Sequence, residues 1–285
     1  MAMMTQKATQ PEKHVLGLSG GKDSAALAIY MKTYFPELEI DYFFTDTGKE
    51  LPEVHEFLGA LEGYLEKKVL RLSPDKDFDH WLDKYNHFLP SPQTRWCTRD
   101  LKIRPFERWI KPMLNSGTRV YSYVAIRADE SFREGHESTH ENLHVKLPLK
   151  DGGIDKQGVK QLLEMSGVGW PKYYEWRSRS GCTFCFYQQK IEWLRLKERH
   201  PEAFEDAKTY EKTALSHGSP FSWCDGETLD ELEQPERAKQ VEEDYEKRKA
   251  RAQAKLQKNP LRPDGEVLDM DDIFGQGKMC LNCHK

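Results

Sequence analysis

Apolar residues in this chain fall in short runs separated by helix-length stretches of mixed polarity, and Val15–Leu18 is the first such run. It predicts a buried strand. Ala25, Ala26, Leu27, Ala28, Ile29 and Met31 then predict a helix over 24–35, and Ile40–Phe44 a second strand ending in Thr45-Asp46-Thr47-Gly48. A helix is expected from Pro52, with proline in its first turn, through Leu61, followed by a third strand at Lys68–Leu72. Residues 75–88 and 99–114 have helical spacing, and Arg119–Ile126, rich in Val and Tyr, reads as a fourth strand. This alternation predicts an α/β fold with a doubly wound, mostly parallel sheet and a helical, cysteine-bearing C-terminal region. Ligands of such sheets sit beyond the carboxyl ends of the strands, where the turn after the first strand, Asp46 and Arg127 would converge.

After residue 147 the character shifts. Turn residues and a short helix, Lys160–Met165, fill 152–169; Trp170–Cys185 is aromatic, basic and cysteine-bearing; 188–215 is an amphipathic helical stretch interrupted near Pro201. From Glu231 to Lys258 acids and bases are interspersed with Ala and Gln, which suits a solvated helix better than a nucleic-acid clamp. Residues 260–285 read as a flexible tail ending in Cys280-Leu281-Asn282-Cys283-His284.

The densest chemistry lies in the turn after the first strand. In Ser19-Gly20-Gly21-Lys22-Asp23-Ser24 two glycines let the backbone bend so that successive N–H groups converge on an anion. The following helix points its positive end at the same place, while Ser19 and Ser24 offer hydroxyls and Lys22 a point charge. The spacing is not that of the Gly-x-x-x-x-Gly-Lys-Ser/Thr loop. An ordinary Gly-rich βα turn is the plain alternative, and the hydroxyls, lysine and helix around the glycines argue against it.

Composition narrows the setting. At 285 residues, with 32% charged residues and a net charge of −4, the chain can bury a full core with a smaller appendage. No apolar run approaches membrane-spanning length. Met1–Lys13 is polar and lacks the apolar stretch of a secretory signal, so a cytoplasmic location without membrane partners is expected. Six cysteines in that setting point to metal binding or redox work rather than structural disulfides. Mild acidity disfavours nonspecific nucleic-acid binding without excluding a local basic groove.

The Ser-Gly-Gly-Lys-Asp-Ser turn resembles the PP-loop of the ATP pyrophosphatase superfamily, whose members cleave ATP between the α and β phosphates and grip the pyrophosphate there. Asp46-Thr47-Gly48 followed by Leu51-Pro52-Glu53 is similar to the phosphoadenosine phosphosulfate (PAPS) reductase branch of that superfamily. Further blocks follow in family order: Trp96-Cys97-Thr98-Arg99-Asp100-Leu101-Lys102; then Ala125–Arg133, similar to Gly-x-Arg-x-x-Glu-Ser-x-x-Arg with Ala125 replacing glycine; then Trp170–Cys185. Ordered blocks are far more specific than any one of them.

The resemblance implies an adenine nucleotide alpha-hydrolase-like fold. ATP and Mg2+ would be held by Ser19, Gly20, Gly21, Lys22, Asp23, Ser24 and Asp46, with Lys22, Asp23, Asp46 and Arg127 in catalysis. Arg127 and Arg133 flank Glu130, an arrangement suited to a phosphate or sulfate group. Arg99 and Lys102 add cations near the same mouth, whereas Arg104 and Arg108 read as surface ion pairs. Residues 1–13 would then be a flexible N-terminus, 14–150 the nucleotide-binding domain, 151–230 a substrate and metal region, and 231–285 a charged helix with a flexible tail.

In iron–sulfur members of this branch an early cysteine joins a later Cys-x-x-Cys around a [4Fe–4S] cluster, which implies Cys97, Cys182 and Cys185 as ligands here. Those members carry two adjacent early cysteines, and here Trp96 precedes Cys97, so one ligand is missing. Cys224 is the first candidate for it; Cys280 or Cys283 could instead complete the site, or one iron could stay open for sulfur. Zinc is the rival metal, because Cys-x-x-Cys alone does not separate the two. The tail also resembles the mobile cysteine that attacks substrate sulfur in PAPS reductases, without the Glu-Cys-Gly that surrounds it there.

PAPS carries no β–γ pyrophosphate, so the intact turn favours ATP. The activity this implies is adenylation of an oxygen with release of pyrophosphate, after which sulfur displaces AMP. It is similar to that of ATP pyrophosphatases of bacterial DNA phosphorothioation systems (Dnd and Ssp types), which work with a cysteine desulfurase; DNA is the expected acceptor ahead of transfer RNA. The alternatives are a PAPS or adenylyl-sulfate reductase using Cys283, and a non-catalytic ATP-binding assembly subunit.

Overall fold

The computed structural model describes residues 10–131, 133, 138–257 and 270–274. Strands β1 (Glu12–Gly17), β2 (Ile40–Thr45), β3 (Leu70–Leu72), β4 (Arg119–Tyr123) and β5 (Leu143–Lys146) form one sheet in the order β3-β2-β1-β4-β5, every neighbouring pair parallel. Successive side chains of a strand face opposite ways, and the two sides of the sheet bury different sets. Leu16, Tyr42 and Phe44 pack with helices α1 (Lys22–Tyr34) and α2 (Pro52–Leu65); Val15, Phe43 and Val120 meet Ile110 and Leu114 on the opposite face. The α/β class read from the alternation of elements is the one found.

Between β3 and β4 lie α3 (Phe78–Lys84), α4 (Trp96–Thr98) and α5 (Arg104–Asn115), the last supplying Ile110 and Leu114. The helix expected over 75–88 is shorter, because Asn86 and His87 take left-handed backbone and end it. The helix expected from 99 begins with a π-helical turn, Arg99–Ile103, in which the Arg104 N–H reaches the Arg99 carbonyl. The fourth strand stops at Tyr123 rather than Ile126: the Ile126 N–H bonds back to Val124 O at 3.0 Å, a tight turn that carries Arg127 over the strand end. Strand β5 has no counterpart in the sequence reading, since its four residues are only partly buried and show no alternation.

Helices α6 (Pro148–Asp151) and α7 (Lys156–Ser166) return the chain to the sheet, α7 lying against α1. The C-terminal region is α8 (Lys190–Arg199), α9 (Pro201–Ser216), α10 (Leu229–Leu232), α11 (Pro235–Gln257) and α12 (Met270–Phe274). The break near Pro201 falls where the sequence placed it. Trp193, Phe204, Trp223 and Leu229 continue the main core into this region. No helix among the described residues is long and apolar enough to cross a membrane. The tail cysteines Cys280 and Cys283 lie outside the described residues.

Glu227 ties the C-terminal helices together. Its carboxylate accepts a two-pronged pair from Arg237 (2.7 and 2.8 Å) and a bond from Lys190 at the start of α8. Those contacts, Arg237 first, pull its pKa from 4.5 down to about 2. The folded value lies below the unfolded one, so the stabilisation is complete above about pH 5 and fades as pH falls toward about 2. Glu227→Gln is expected to cost on the order of 2–3 kcal/mol at neutral pH. Urea unfolding of both proteins should show the gap between them narrowing as pH is lowered from 7 to 3.

Candidate active site

Strand order reverses at β1, so the loops leaving β1 and β4 open the crevice where ligands of such sheets bind. The loop after β1 is Ser19–Ser24, and its geometry is held from within. Ser24 Oγ accepts from Ser19 N (3.1 Å) and donates to Gly21 O (3.1 Å), while Gly21 N donates to Ser19 Oγ at 3.3 Å. Gly20 has φ +74°, and a Cβ there would stand 2.6 Å from Val54 Cγ1. Lys22 is buried with its ammonium 4.9 Å from the Tyr174 ring centre and 5.9 Å from that of Trp170. The Lys22 N–H meets Tyr174 Oη at 3.3 Å, a long bond that an anionic oxygen would replace.

Arg127, swung over the end of β4, is 2% exposed and spans the reversal point. Its guanidinium donates to Asp23 of the loop at 2.9 Å and to both oxygens of Asp129 at 2.9 and 3.1 Å. Burial penalises its charge, but Asp23 and Asp129 outweigh that and keep it protonated. Glu130 accepts from the Arg127 backbone N–H (3.1 Å) and from Arg133 (2.9 Å), so the acid between the two arginines orients Arg133 by its side chain and Arg127 by its backbone.

The cysteine loop sits directly on the phosphate loop. Tyr173 Oη donates to Gly20 O at 2.5 Å, and Ser180 Oγ, two residues before Cys182, donates to Ser19 Oγ at 3.3 Å. A Cβ on Gly21 would stand 2.7 Å from Ser180 Oγ, so glycine there permits this close approach. Arg177, fully buried, donates to Cys182 O. On the other side Thr183 N donates to Lys49 O at 2.7 Å and Glu50 forms an antiparallel bridge with Cys182.

Cys97, Cys182 and Cys185 are brought together around the Lys102 ammonium and the Glu50 carboxylate. Burial first, then the neighbouring thiols, pushes Cys97 up to about 12; burial first, then Glu50, pushes Cys182 up to about 11. Burial draws Lys102 down, but Cys182, Glu50, Cys185 and Cys97 outweigh it and raise it overall. Arg95 and Arg179 add positive charge around the neighbouring Tyr187. Three thiols beside cations suit a soft, anionic metal centre. Among the described residues only Asp46, Glu50 and His55 bring three His, Cys, Asp or Glu ligand atoms within 4.8 Å of one another. A thiol set of this kind can take either zinc or an iron–sulfur cluster.

Two sequence expectations are corrected. Cys224 does not join the other three: it is buried beyond α9, where burial and Glu211 push its thiol up to about 12, with Lys190, Glu227 and Arg237 as its further charged neighbours. Its environment is set by Glu211, which accepts from the Trp223 and Leu229 N–H groups (2.9 and 2.7 Å) and closes that turn. Arg99 does not face the phosphate loop; it pairs with Asp100 at 3.3 Å and bonds Tyr85. The π turn rotates fewer degrees per residue than an α-helix, so residues three apart no longer share a face, and Arg99 lies outward while Lys102 faces the thiols. Arg104 and Arg108 form ion pairs with Asp100 and Asp75, as read from the sequence. Asp46 caps its own turn, accepting from Gly48 N at 2.9 Å, and stands beside Glu50 and His55. Cys283 falls outside the described residues. The sequence reading gave no role to Glu50, Tyr173, Tyr174 and Asp129; Asp129 lies in the Ala125–Arg133 block and Tyr173 and Tyr174 in the Trp170–Cys185 block, whereas Glu50 falls outside every block.

Residues 13–185 match the phosphoadenosine phosphosulfate reductase domain family, and the chain belongs to that family. It is 28% identical over 199 residues to an uncharacterized protein of Methanocaldococcus jannaschii, a stretch covering 65% of this chain and 44% of that protein, so it spans less than half the length of this relative. Among solved structures it is similar to the PAPS reductase from Candida auris in its phosphate complex, at 15% identity and TM-score 0.46, covering 61% of this chain and 82% of that one. It is also similar to the U34-tRNA thiolase NcsA from Methanococcus maripaludis with its [4Fe-4S] cluster, at 14% identity and TM-score 0.39, covering 73% and 74%.

The two loop glycines predict different losses. Gly20→Ala must adopt left-handed backbone against Val54 and is expected to cost about 1–3 kcal/mol of stability in urea unfolding. Gly21→Ala displaces only side-chain hydroxyl tips, so stability should hold while pyrophosphate affinity, measured by isothermal titration, falls about tenfold or more.

Proposed function

We propose that this chain is an ATP pyrophosphatase that adenylates an oxygen of its substrate and so activates it for sulfur transfer in nucleic-acid modification, DNA phosphorothioation foremost and transfer-RNA thiolation next. ATP and Mg2+ are its cofactors and a cysteine desulfurase the supplier of sulfur. The observation that carries this reading is the wall shared by an intact phosphate loop and a three-cysteine pocket, joined at Ser180 and Ser19.

The substrate oxygen attacks the α-phosphorus of ATP, the bond to the oxygen bridging to the β-phosphate breaks, and the electron pair leaves with pyrophosphate. A sulfur nucleophile then attacks the activated centre and AMP departs. The amides of Gly21 and Lys22, at the positive end of α1, and the Lys22 ammonium stabilise the charge that develops on the leaving pyrophosphate. Asp23 and Asp46 offer the oxygen donors that Mg2+ prefers. Arg127, preset by Asp23 and Asp129, meets the α-phosphate side without reorganising. Cys97, Cys182 and Cys185 would hold a [4Fe–4S] cluster, which when bound supplies a site for sulfide beside the nucleotide.

Anaerobically purified protein with ATP, Mg2+, sulfide and either DNA or transfer RNA should release AMP and pyrophosphate. Lys22→Ala should lower that rate by about 10²–10³. No release with either nucleic acid would sink the reading. The family's name favours one rival, reduction of PAPS by the tail: sulfite formed from PAPS and lost in Cys283→Ser would replace adenylation.

A further inference from the structure

Arg177 and Arg179 both precede the cysteine pair, and only Arg179 is partly open to solvent, its guanidinium lying over the Tyr187 ring 5.0 Å from the centre. Arg177 is 0% exposed, beside Trp176, and cannot reach a substrate. Its Nη2 donates to Cys182 O, while Nε and Nη1 are buried with no hydrogen-bond partner among the described residues. The buried acid nearby, Glu192, gives its two oxygens to the Ser178 and Gln189 N–H groups (2.6 and 2.9 Å). A guanidinium keeps its charge at any depth, so two unmet donors carry a penalty that an apolar side chain of the same volume would not. Filling space therefore does not account for an arginine here.

The bond it does make falls on a carbonyl with a second duty. Cys182 O also accepts from the Cys185 N–H at 3.3 Å, the bond that closes the turn between the two cysteines. The flank of that turn is tied to the loop after β2 by the Glu50 bridge to Cys182 and by the Thr183 N–H on Lys49 O (2.7 Å), and the Gln188 side chain donates to Thr183 O at 3.0 Å. We infer that Arg177 is a positioning residue for the metal centre of Cys97, Cys182 and Cys185: it fixes the carbonyl through which the two thiols of the turn are spaced. This rests on the metal reading above. A turn bond of 3.3 Å is long and constrains the pair weakly by itself, whereas a planar, fully enclosed guanidinium cannot swing away from the carbonyl it holds. Hydrogen-bond partners behind the ligands are what orient them toward a metal.

The test uses the full chain, purified anaerobically and stripped of metal, as wild type, Arg177→Met, Arg177→Lys and Glu211→Gln, each titrated with cobalt(II) and followed by thiolate-to-cobalt absorption. Arg177→Met should bind cobalt about 10–100-fold more weakly than wild type and with altered bands. Arg177→Lys, which keeps one cationic donor without the planar fork, should recover part of both, and it carries the test if Arg177→Met does not fold. Glu211→Gln leaves an amide unmet at a turn away from the cysteine loop; it should unfold at lower urea yet bind cobalt as wild type does, which separates positioning from a general loss of stability. Wild-type affinity and bands in Arg177→Met and Arg177→Lys, or equal weakening in Glu211→Gln, overturns the assignment while leaving the metal site in place. Wild type with no thiolate-to-cobalt absorption removes the metal reading and this role together, whereas the AMP assay would still judge adenylation by itself.

Discussion

The structure depends on the seating of the cysteine loop against the phosphate loop, two segments far apart in sequence. Its individual bonds are modest. The Tyr173–Gly20 and Ser180–Ser19 contacts contribute about 1 kcal/mol each in net terms, and the Ser180 contact is long. What anchors the segment is burial: Tyr173 and Trp176 are 0% and 1% exposed, and burying side chains of that size is worth about 1.5–3 kcal/mol each. Burial holds the segment down, and the hydrogen bonds choose the register. Gly21 admits the approach by having no Cβ.

Three cations at the crevice have internal partners. Arg127 is clamped by Asp23 and Asp129, Lys22 lies over Tyr174 and Trp170, and Lys102 faces Glu50 and the thiols. Buried charge without such partners would be costly. The same pairing presets the site, since a polyphosphate meets positive groups already in position, and the Lys22 N–H bond to Tyr174 is long enough to give way to it. One of the two acids that position Arg127, Asp23, belongs to the phosphate loop itself, which couples the loops after β1 and β4 across the order reversal.

Local patterns were readable wherever one residue type dominated a short run. Val15–Leu18 and Ile40–Phe44 sit in β1 and β2 because a parallel strand buried on both faces needs continuous apolar residues. The phosphate loop was legible because glycine, lysine and serine at fixed spacing have few other uses together. Strand β5 was not, because a short edge strand buries too little to leave a pattern. Asn86, His87 and the π turn at Arg99–Ile103 also escaped notice, since single-residue backbone choices are made by packing and not by propensity.

The sequence by itself determined the α/β class, the phosphate loop after the first strand and the order of the family blocks, because each is encoded in contiguous residues. Only the tertiary structure decided which cysteines meet. Cys224 matched the others as a thiol but lies among Glu211, Lys190, Glu227 and Arg237, while Glu50, unremarked in the sequence, was brought to Cys182 by a backbone bridge. It also sent Arg99 and Lys102 apart through a widened helical turn. Such pairings join residues distant in the chain, so they follow from how elements pack and leave no local trace to read.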